Sequence, residues 1–284
     1  MKMVTLSAEQ LGIAYGDVEI VRELNLKIPE GKVTTLIGPN GCGKSTILKT
    51  MSRILTPKNG VVYLDGKSIH QESTKEIAKK MAILPQTPEA PSGLTVSELV
   101  SYGRFPHQRG FGTLTNQDRQ IVRWAIEVTG LGDFYDRPID ALSGGQRQRV
   151  WIAMALAQET NLLLLDEPTT YLDLAHQLEV LQLLEQLNKD EKRTIVMVIH
   201  DLNHAARFAH HMVALNRGTI IKEGTPSEVM TSEVLKKVFQ IDADIVQDPR
   251  TGKPVCITYD LINKTKTVKK DAIKEEKPLI EALA

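Results

Sequence analysis

The feature that most constrains this chain is a glycine-rich segment, GPNGCGKST at Gly38–Thr46, which directly follows a short apolar run at Val33–Ile37. Its glycines allow successive backbone N–H groups to turn toward one anion without obstruction by a Cβ atom. A helix that begins near Lys44 would direct the positive end of its dipole to the same place. A buried strand, a glycine loop and a helix in this order predict a phosphate-binding unit within a parallel α/β domain.

The segment matches the G-x-x-x-x-G-K-[ST] pattern in full. Lys44 is expected to reach the terminal phosphates of ATP, and Ser45 is expected to ligate Mg²⁺. Tyr15, well before the loop, is a candidate for stacking on the adenine ring, although a half-buried strand tyrosine is the plain alternative. The residues of the loop that we predict to bind ATP are Gly38, Pro39, Asn40, Gly41, Cys42, Gly43, Lys44, Ser45 and Thr46.

Two carboxylates, Asp166 and Glu167, follow the apolar run Leu162–Leu165. Ligands in α/β sheets bind at the carboxyl ends of the strands, so these side chains are expected at the nucleotide. Asp166 suits the Mg²⁺ shell of a phosphate-loop NTPase. Glu167 is a candidate general base that polarises the attacking water, a role worth roughly 10²–10⁴-fold in rate.

Two further polar residues, His200 and Gln86, follow predicted strands. His200 closes the apolar run Thr194–Ile199 and is well placed to hydrogen-bond a γ-phosphate. Gln86 follows Ala82–Leu84, and its amide is a candidate contact to Mg²⁺ or to the attacking water. A lone glutamine is more often an ordinary loop residue, and a histidine at a strand end is often only a surface residue.

A second helix start with the chemistry of an anion site comes later, at LSGGQ. Ser143 is a good N-cap, and two glycines again free backbone N–H groups. One nucleotide needs only one such helix start, so the second is expected to serve a nucleotide held by another subunit. The residues of this segment are Leu142, Ser143, Gly144, Gly145 and Gln146.

The order of apolar runs predicts an α/β fold in which a parallel sheet carries an antiparallel β layer at its N-terminal side. The strand signal fades between about Thr87 and Ala141, where Val96–Ser101 and Asp118–Thr129 are helix-like and Gly103–Gly112 reads as a loop. We predict one domain over residues 1–242, with a helical subdomain inserted at about 87–160. After Asp244 the pattern loosens, and we expect residues 243–284 to form an extension that is mobile beyond about 263.

Composition excludes several classes of function. Lys plus Arg and Asp plus Glu both number 35 in 284 residues, and aromatic residues make up 5%. A nucleic-acid partner is therefore not expected, because such proteins usually carry a basic excess. The first residues lack the apolar region of a secretory signal, and no apolar run is long enough to span a membrane. Two cysteines, Cys42 and Cys256, are expected to be reduced thiols in the cytosol.

These motifs, in this order, resemble those of the ATP-binding cassette (ABC) ATPases over about Met3–Asp242. In that resemblance Gly38–Thr46 is the Walker A loop, Gln86 the Q-loop, Leu142–Gln146 the signature and Leu162–Glu167 Walker B. Asp173, in Tyr171-Leu172-Asp173, is similar to the D-loop aspartate, and His200 to the switch histidine. The resemblance implies an ABC ATPase fold and a head-to-tail dimer with two ATP molecules, each held between Walker A of one subunit and the signature of the other.

A narrower resemblance is to the import ATPases for iron–siderophore complexes, which include the cobalamin and haem systems. It rests on Tyr102–His107 in the helical insert and on Tyr171–Val180 after Walker B. It implies a bacterial importer ATPase that lies on the cytoplasmic side of the membrane, bound to separate permease subunits and linked through them to a substrate-binding protein. A soluble ABC ATPase of DNA repair or ribosomes is the alternative, but repair types insert a long coiled coil and ribosomal types carry two cassettes.

Overall fold

A computed structural model describes residues 4–108 and 113–262 of the chain. Its centre is a six-stranded sheet in which five strands run parallel and one edge strand runs antiparallel, in the order β10-β9-β3-β8-β7-β6. The strands of this sheet are β3 (Val33–Ile37), β6 (Met81–Leu84), β7 (Leu162–Asp166), β8 (Thr194–Val198), β9 (His211–Asn216) and β10 (Thr219–Gly224). Every residue of β3, β7 and β8 is buried, as expected for central parallel strands covered on both faces.

A second, antiparallel sheet has the order β2-β1-β4-β5 and packs over the first helix of the chain. Its strands are β1 (Leu6–Tyr15), β2 (Val18–Ile28), β4 (Asn59–Leu64) and β5 (Lys67–Ser68). The antiparallel layer predicted at the N-terminal side is therefore confirmed. β1 continues through a bulge between Ala8 and Leu11, where Gln10 adopts a positive φ of 49°.

Helices cover the parallel sheet and carry its crossovers. The helices are α1 (Lys44–Met51), α2 (Thr74–Ala78), α3 (Val96–Ser101), α4 (Asn116–Val128), α5 (Gly144–Ala157), α6 (Leu174–Glu191), α7 (Leu202–Phe208), α8 (Pro226–Val229) and α9 (Ser232–Phe239). Together with the parallel sheet and the antiparallel layer, they give the α/β architecture that the sequence predicts. No helix within 4–108 and 113–262 is long and apolar enough to cross a membrane.

Three helices, α3, α4 and α5, pack on one another and form the helical insert between β6 and β7. Capping boxes begin all three, at Thr95, Thr115 and Ser143, which explains where each helix starts. The first part of the predicted loop, Gly103–His107, lies instead in a 3₁₀ helix, Tyr102–His107, that continues α3. The subdomain limits near 87 and 160 stay a prediction.

The chain beyond α9 forms a hairpin of β11 (Ile241–Gln247) and β12 (Pro254–Leu261). The predicted boundary between residues 242 and 243 falls inside β11, and the predicted mobility beyond about 263 concerns residues outside the described ones. Sequence patterning missed the hairpin because most residues of β12 are exposed, so alternation is weak. The available signal was the turn segment Asp248–Lys253 between two runs rich in β-branched residues.

One buried ionic network holds the helical insert together. Arg104 is 4% exposed, and its Nε donates to Asp118 Oδ1 at 2.8 Å. Its Nη1 donates to the carbonyl oxygen of Ala157 at 2.7 Å and to Glu159 Oε2 at 2.8 Å. These bonds join the 3₁₀ helix to the first turn of α4 and to the last turn of α5. Since every partner accepts from the same guanidinium, its loss would leave several buried acceptors unsatisfied.

We expect Arg104→Ala to lower the free energy of unfolding by about 3–5 kcal/mol, because it leaves the buried Asp118 carboxylate without its charged partner. The midpoint and slope of urea denaturation measure this change. Arg22→Ala is the matched control, since Arg22 pairs with Glu19 at the surface with 74% of its side chain exposed. It should change stability by less than about 0.5 kcal/mol. Equal effects of the two substitutions would contradict the structural role of Arg104.

Candidate functional site

A cavity of about 490 Å³ opens at the edge of the parallel sheet where the strands end. The glycine loop follows β3, Gln86 lies just after β6, Glu167 follows β7, and His200 lies just after β8. The parallel register brings these segments to one edge although they are far apart in sequence. The residues that line this nucleotide cleft are Ile20, Asn40, Gly41, Gly43, Lys44, Ser45, Thr46, Gln86, Glu167 and His200.

The glycine loop is shaped by positions that only glycine can occupy. Gly38 has a φ of 153°, and a Cβ there would lie 2.2 Å from the carbonyl oxygen of Leu215. Gly43 caps α1 with a φ of 104°. Lys44 is buried, and its Nζ donates to the carbonyl oxygens of Gly38 and Pro39 at 2.8 and 3.1 Å. The ammonium is therefore held across the loop, beside the cleft in which an anion would be bound.

Asp166 is 1% exposed at the end of β7, and Ser45 Oγ donates to its Oδ1 at 2.8 Å. Its second oxygen, Oδ2, is buried and has no hydrogen-bond partner among the residues described. Burial raises the pKa of Asp166, and the negative charge of Glu167 raises it further, against the hydrogen bond from Ser45. A buried carboxylate oxygen without a partner, next to a serine hydroxyl, is the oxygen donor set that a small divalent cation takes.

Protein side chains alone do not form a complete metal site. Within the described part of the chain, no three His, Cys, Asp or Glu side chains cluster closely enough to hold a metal ion. Mg²⁺ usually keeps several waters and shares its remaining positions with substrate phosphates. The residues at Asp166 therefore fit a cation that arrives with a nucleotide.

Glu167 differs from the adjacent Asp166 in its backbone conformation and in the direction of its pKa shift. It has a φ of 54°, a strained conformation for a non-glycine residue that is common at functional sites. Its Oε1 lies 2.5 Å from His200 Nε2, and its Oε2 accepts from Thr170 Oγ1 at 2.9 Å. Burial acts to raise the pKa of Glu167, but the hydrogen bonds from His200, Thr170 and Gln86 outweigh it and lower the pKa below its ordinary value. Glu167 is therefore held as a carboxylate.

The signature segment lies outside this cleft. Ser143 caps α5, accepting from Gln146 N at 3.2 Å, while its own N–H donates to Gln146 Oε1 at 3.0 Å. Leu142 is buried, whereas Ser143 and Gly144 are exposed, and a Cβ on Gly144 would meet open space. None of the five residues Leu142–Gln146 lines the nucleotide cleft of its own chain.

Two other predicted site residues also stand apart from the cleft. Asp173 caps α6, where it accepts from His176 N at 2.9 Å, and it is exposed. Tyr15 ends β1 and is 50% exposed, but it does not line the cleft, and its stacking on adenine stays a prediction. Asp166 and three residues of the loop, Gly38, Pro39 and Cys42, do not line the cleft either, and the Cys42 thiol is buried in the core.

Sequence reasoning missed two residues of the site. Ile20, on β2, lines the cleft as its apolar wall, and Thr170 donates to Glu167. Thr170 could have been found, because it lies three residues after Glu167 in a turn, within reach of its carboxylate. Ile20 could not, because its place depends on how the antiparallel layer packs against the loop.

Residues 21–170 match the family model for the ABC transporter. The chain belongs to the ABC transporter family. It is 74% identical over 264 residues to the iron(3+)-hydroxamate import ATP-binding protein FhuC of Bacillus subtilis (strain 168), which covers 93% of this chain and 98% of that relative. As an ABC ATPase, the chain binds and hydrolyses ATP. Residues of the glycine loop and Glu167 line the same cleft, where we predict that ATP binds.

Two solved structures have the same fold. An inward-facing structure assigned to a metal-chelate type ABC transporter superposes with a TM-score of 0.77 at 31% identity, covering 90% of this chain and 97% of that one. The dimeric bacterial ABC transporter cassette MJ0796 gives a TM-score of 0.71 at 30% identity, covering 78% of this chain and 98% of that one. The predicted ABC ATPase fold is confirmed.

We expect Asp166→Asn to raise the melting temperature of the protein, measured in EDTA without nucleotide, by about 2–4 °C. A shift of this size corresponds to an increase of roughly 1 kcal/mol in the free energy of unfolding. The folded pKa of Asp166 lies above its unfolded value, so the ionised carboxylate destabilises the fold. This cost is fully present above the folded pKa and is lost below the unfolded pKa, near about 3.9. The difference between the variant and the unmodified protein should therefore shrink as pH falls from about 7 toward 4.

Differential scanning calorimetry across that pH range measures the difference. Asp17→Asn is the control, because Asp17 is an exposed turn residue, and it should leave the melting temperature unchanged. A melting temperature for Asp166→Asn below that of the unmodified protein at neutral pH would show that the carboxylate stabilises the empty site.

Proposed function

We propose that this chain is the ATP-hydrolysing subunit of a bacterial ABC importer that energises uptake of ferric siderophores of the hydroxamate type. The observation that carries the proposal is the cleft in which Lys44, Ser45, Glu167 and His200 converge. The substrate class is supported by the 74% identity to the iron(3+)-hydroxamate import protein over nearly the full length of both chains. Ferric complexes of other siderophores, cobalamin or haem are the alternative cargoes.

The site residues divide the hydrolytic reaction between them. Glu167, kept ionised by His200, Thr170 and Gln86, is the general base that takes a proton from the attacking water. Lys44 neutralises charge on the terminal phosphates, and the first-turn N–H groups of α1 bind the same anion. His200 contacts Glu167 and lines the same cleft, so it would hold the base and donate to a γ-phosphate.

Mg²⁺ is the cofactor, and Ser45, Gln86 and Asp166 are its proposed contacts. The orphaned Oδ2 of Asp166 and the hydroxyl of Ser45 support this assignment. When bound, Mg²⁺ would supply positive charge that offsets the negative charge of the nucleotide phosphates. The raised pKa of Asp166 supports the same role, since a cation would relieve the cost of its buried charge.

A second copy of the chain is proposed to complete each site. The signature residues Leu142–Gln146 are absent from the cleft of their own chain, and Ser143 and Gly144 are exposed at a helix start. The first N–H groups of α5 lack intrahelical partners and can bind an anion that a second copy presents. The exposed Asp173, beside the buried Leu172 that packs near Gly145, would contact the same partner. The related cassette of known structure is dimeric, which supports a second copy as the partner in this head-to-tail arrangement.

A separate permease is the proposed membrane partner, because the relatives that the chain matches are ATP-binding proteins of import and transport systems. The helical insert presents Tyr102 and Phe105 as an exposed stacked pair, with ring centroids 4.9 Å apart. This pair is fixed to α4 and α5 through Arg104, so force on it would reach the signature helix. The chain would then lie at the cytoplasmic face of the membrane and communicate through the permease with a substrate-binding protein. Nucleic acid is not a proposed partner.

Glu167→Gln should reduce ATP turnover by about 10²–10⁴-fold while leaving ATP binding intact, because glutamine keeps the shape of the side chain but cannot accept the proton. Phosphate release measures turnover, and equilibrium binding of a fluorescent ATP analogue measures affinity. In cells that lack the chain, the unmodified gene product should restore uptake of ⁵⁵Fe-labelled ferric hydroxamates, whereas Glu167→Gln should not. Near-normal hydrolysis would reject Glu167 as the base, and uptake without the chain would reject the proposed cargo.

Ser143→Arg tests whether the signature acts on the partner's nucleotide. In a mixed dimer, one Ser143→Arg copy should inactivate the site of the unmodified copy, because a long cationic side chain replaces the small N-cap at the shared interface. Steady-state hydrolysis by dimers with one tagged mutant subunit measures this. Ser73→Arg is the control, since Ser73 is also an exposed N-cap serine that accepts from a residue three positions on, Glu76. Full activity of the mixed Ser143→Arg dimer would contradict sharing in trans.

A further inference from the structure

A second cavity, of about 370 Å³, lies beside the nucleotide cleft, and His200 contributes to the walls of both. We call this cavity the C-terminal groove. One side is formed by His200–Asn203, which leads from β8 into α7. The other side is formed by Phe239, Ile241 and Tyr259, from the end of α9 and the hairpin β11–β12.

The hairpin is fixed to the segment that carries His200. The Asn203 side-chain amide donates to the carbonyl oxygen of Cys256 at 3.1 Å, and its oxygen accepts from the Cys256 N–H at 2.8 Å. Asn203 thus satisfies both backbone groups of Cys256, as a paired residue of a neighbouring strand would, and α7 packs along β12. A force on the hairpin would therefore reach the helix that begins directly after His200 and Asp201.

The end of β12 carries apolar side chains that nothing in the described chain covers. Tyr259 and Leu261 pair with Ala243 and Ile241, and directly opposed residues of an antiparallel pair lie on the same face. Ala243 and Ile241 are buried, whereas Tyr259 is 63% exposed and Leu261 is 77% exposed. In the described ranges, β12 has a neighbouring strand only on its β11 side. Exposed apolar residues on an open edge strand are typical of a surface that binds another chain.

The position of the groove favours a second copy as that chain. The proposed dimer closes over the nucleotide cleft, and the groove adjoins this cleft through their common residue His200. The cleft itself is lined mainly by polar groups, and a bound nucleotide would cover them. A stable interface also needs a desolvated apolar core with a polar rim. Tyr259 and Leu261 supply apolar surface, and the exposed Asp201, which lines the groove beside them, supplies a polar group at its edge.

We propose that Tyr259 and Leu261 of each copy are buried against the second copy in the ATP-closed dimer, which makes the C-terminal hairpin part of the dimer interface. This inference rests on the proposed function, because it requires the head-to-tail dimer. It extends that proposal by adding an apolar contact that does not involve the nucleotide. Closure at the hairpin would then be linked, through Asn203 and α7, to the position of His200.

The test uses the Glu167→Gln chain in MgATP, in which slow turnover should allow the dimer to accumulate. Adding Tyr259→Ser with Leu261→Ser should raise the dimer dissociation constant by about tenfold or more, measured by sedimentation velocity. Binding of a fluorescent ATP analogue to the monomer should stay unchanged, since neither side chain lines the cleft. Val246→Ser is the matched control, an exposed apolar residue near the other end of the same hairpin, and it should leave the dissociation constant unchanged.

Hydrogen exchange of the backbone amides at residues 257–262 is a second measurement, which reports directly whether the end of β12 is covered by another segment. Exchange there should slow when ATP is added to Glu167→Gln, and the slowing should persist in a chain that ends at Ile262. Exchange that is already slow without ATP, and that becomes fast when residues 263–284 are removed, would show that the same chain covers Tyr259 and Leu261. That result would overturn the proposal.

Two failures can be told apart. If Glu167→Gln with an intact hairpin does not dimerise in MgATP at any concentration, the proposed dimer fails and the inference fails with it. If it dimerises, and the double serine variant dimerises equally well within about twofold, the dimer stands and only the role of the hairpin is overturned.

Discussion

The hydrogen bond between Ser45 and Asp166 joins the two segments on which the rest of the site depends. Ser45 lies in the first turn of α1, directly after the glycine loop, and Asp166 ends a strand two positions away in the sheet. The bond therefore fixes the distance between a positive helix end and a buried carboxylate. The sheet order β3-β8-β7 leaves the end of β8 between them, which is where His200 follows. The order of the strands, as well as the glycine-loop sequence, therefore brings these side chains together at one edge of the sheet.

The two adjacent carboxylates at the end of β7 have opposite pKa shifts, because burial dominates at Asp166 whereas hydrogen bonds outweigh burial at Glu167. Asp166 is almost fully buried with one unpartnered oxygen, so its pKa is raised, while Glu167 receives donors from His200, Thr170 and Gln86, so its pKa is lowered. Because Glu167 has a positive φ, its side chain does not take the direction that it would have if β7 continued as a regular strand. One carboxylate is thereby suited to a cation and the other to a proton, which are the separate needs of phosphate hydrolysis.

The sequence predicted the elements whose chemistry is local and missed those that depend on packing. The glycine loop, the strand before Asp166 and the cap at Ser143 follow from patterns within a few residues, and the structure has all three. Ile20 enters the cleft only because the antiparallel layer packs beside the loop, so no short pattern marked it, whereas Thr170 lies three residues after Glu167 in the same turn and a local pattern could have marked it. The hairpin was missed for a related reason, because a two-stranded sheet with one face partly open lacks the clear alternation of a strand packed on a core.

The buried network of Arg104 shows how the helical insert can act as one body. A guanidinium that bonds the start of α4 and the end of α5 ties three segments into a unit whose internal rearrangement would leave charges unpaired. Gln158, one residue after α5, extends this unit to the sheet domain, donating to carbonyl oxygens of Ala78 and Met81 beside β6. Movement of the insert would therefore displace both the signature at one end of α5 and, through β6, the segment that carries Gln86. In the proposed dimer, contact of the proposed permease with Tyr102 and Phe105 would in this way alter both halves of the nucleotide site without any change inside the cleft itself.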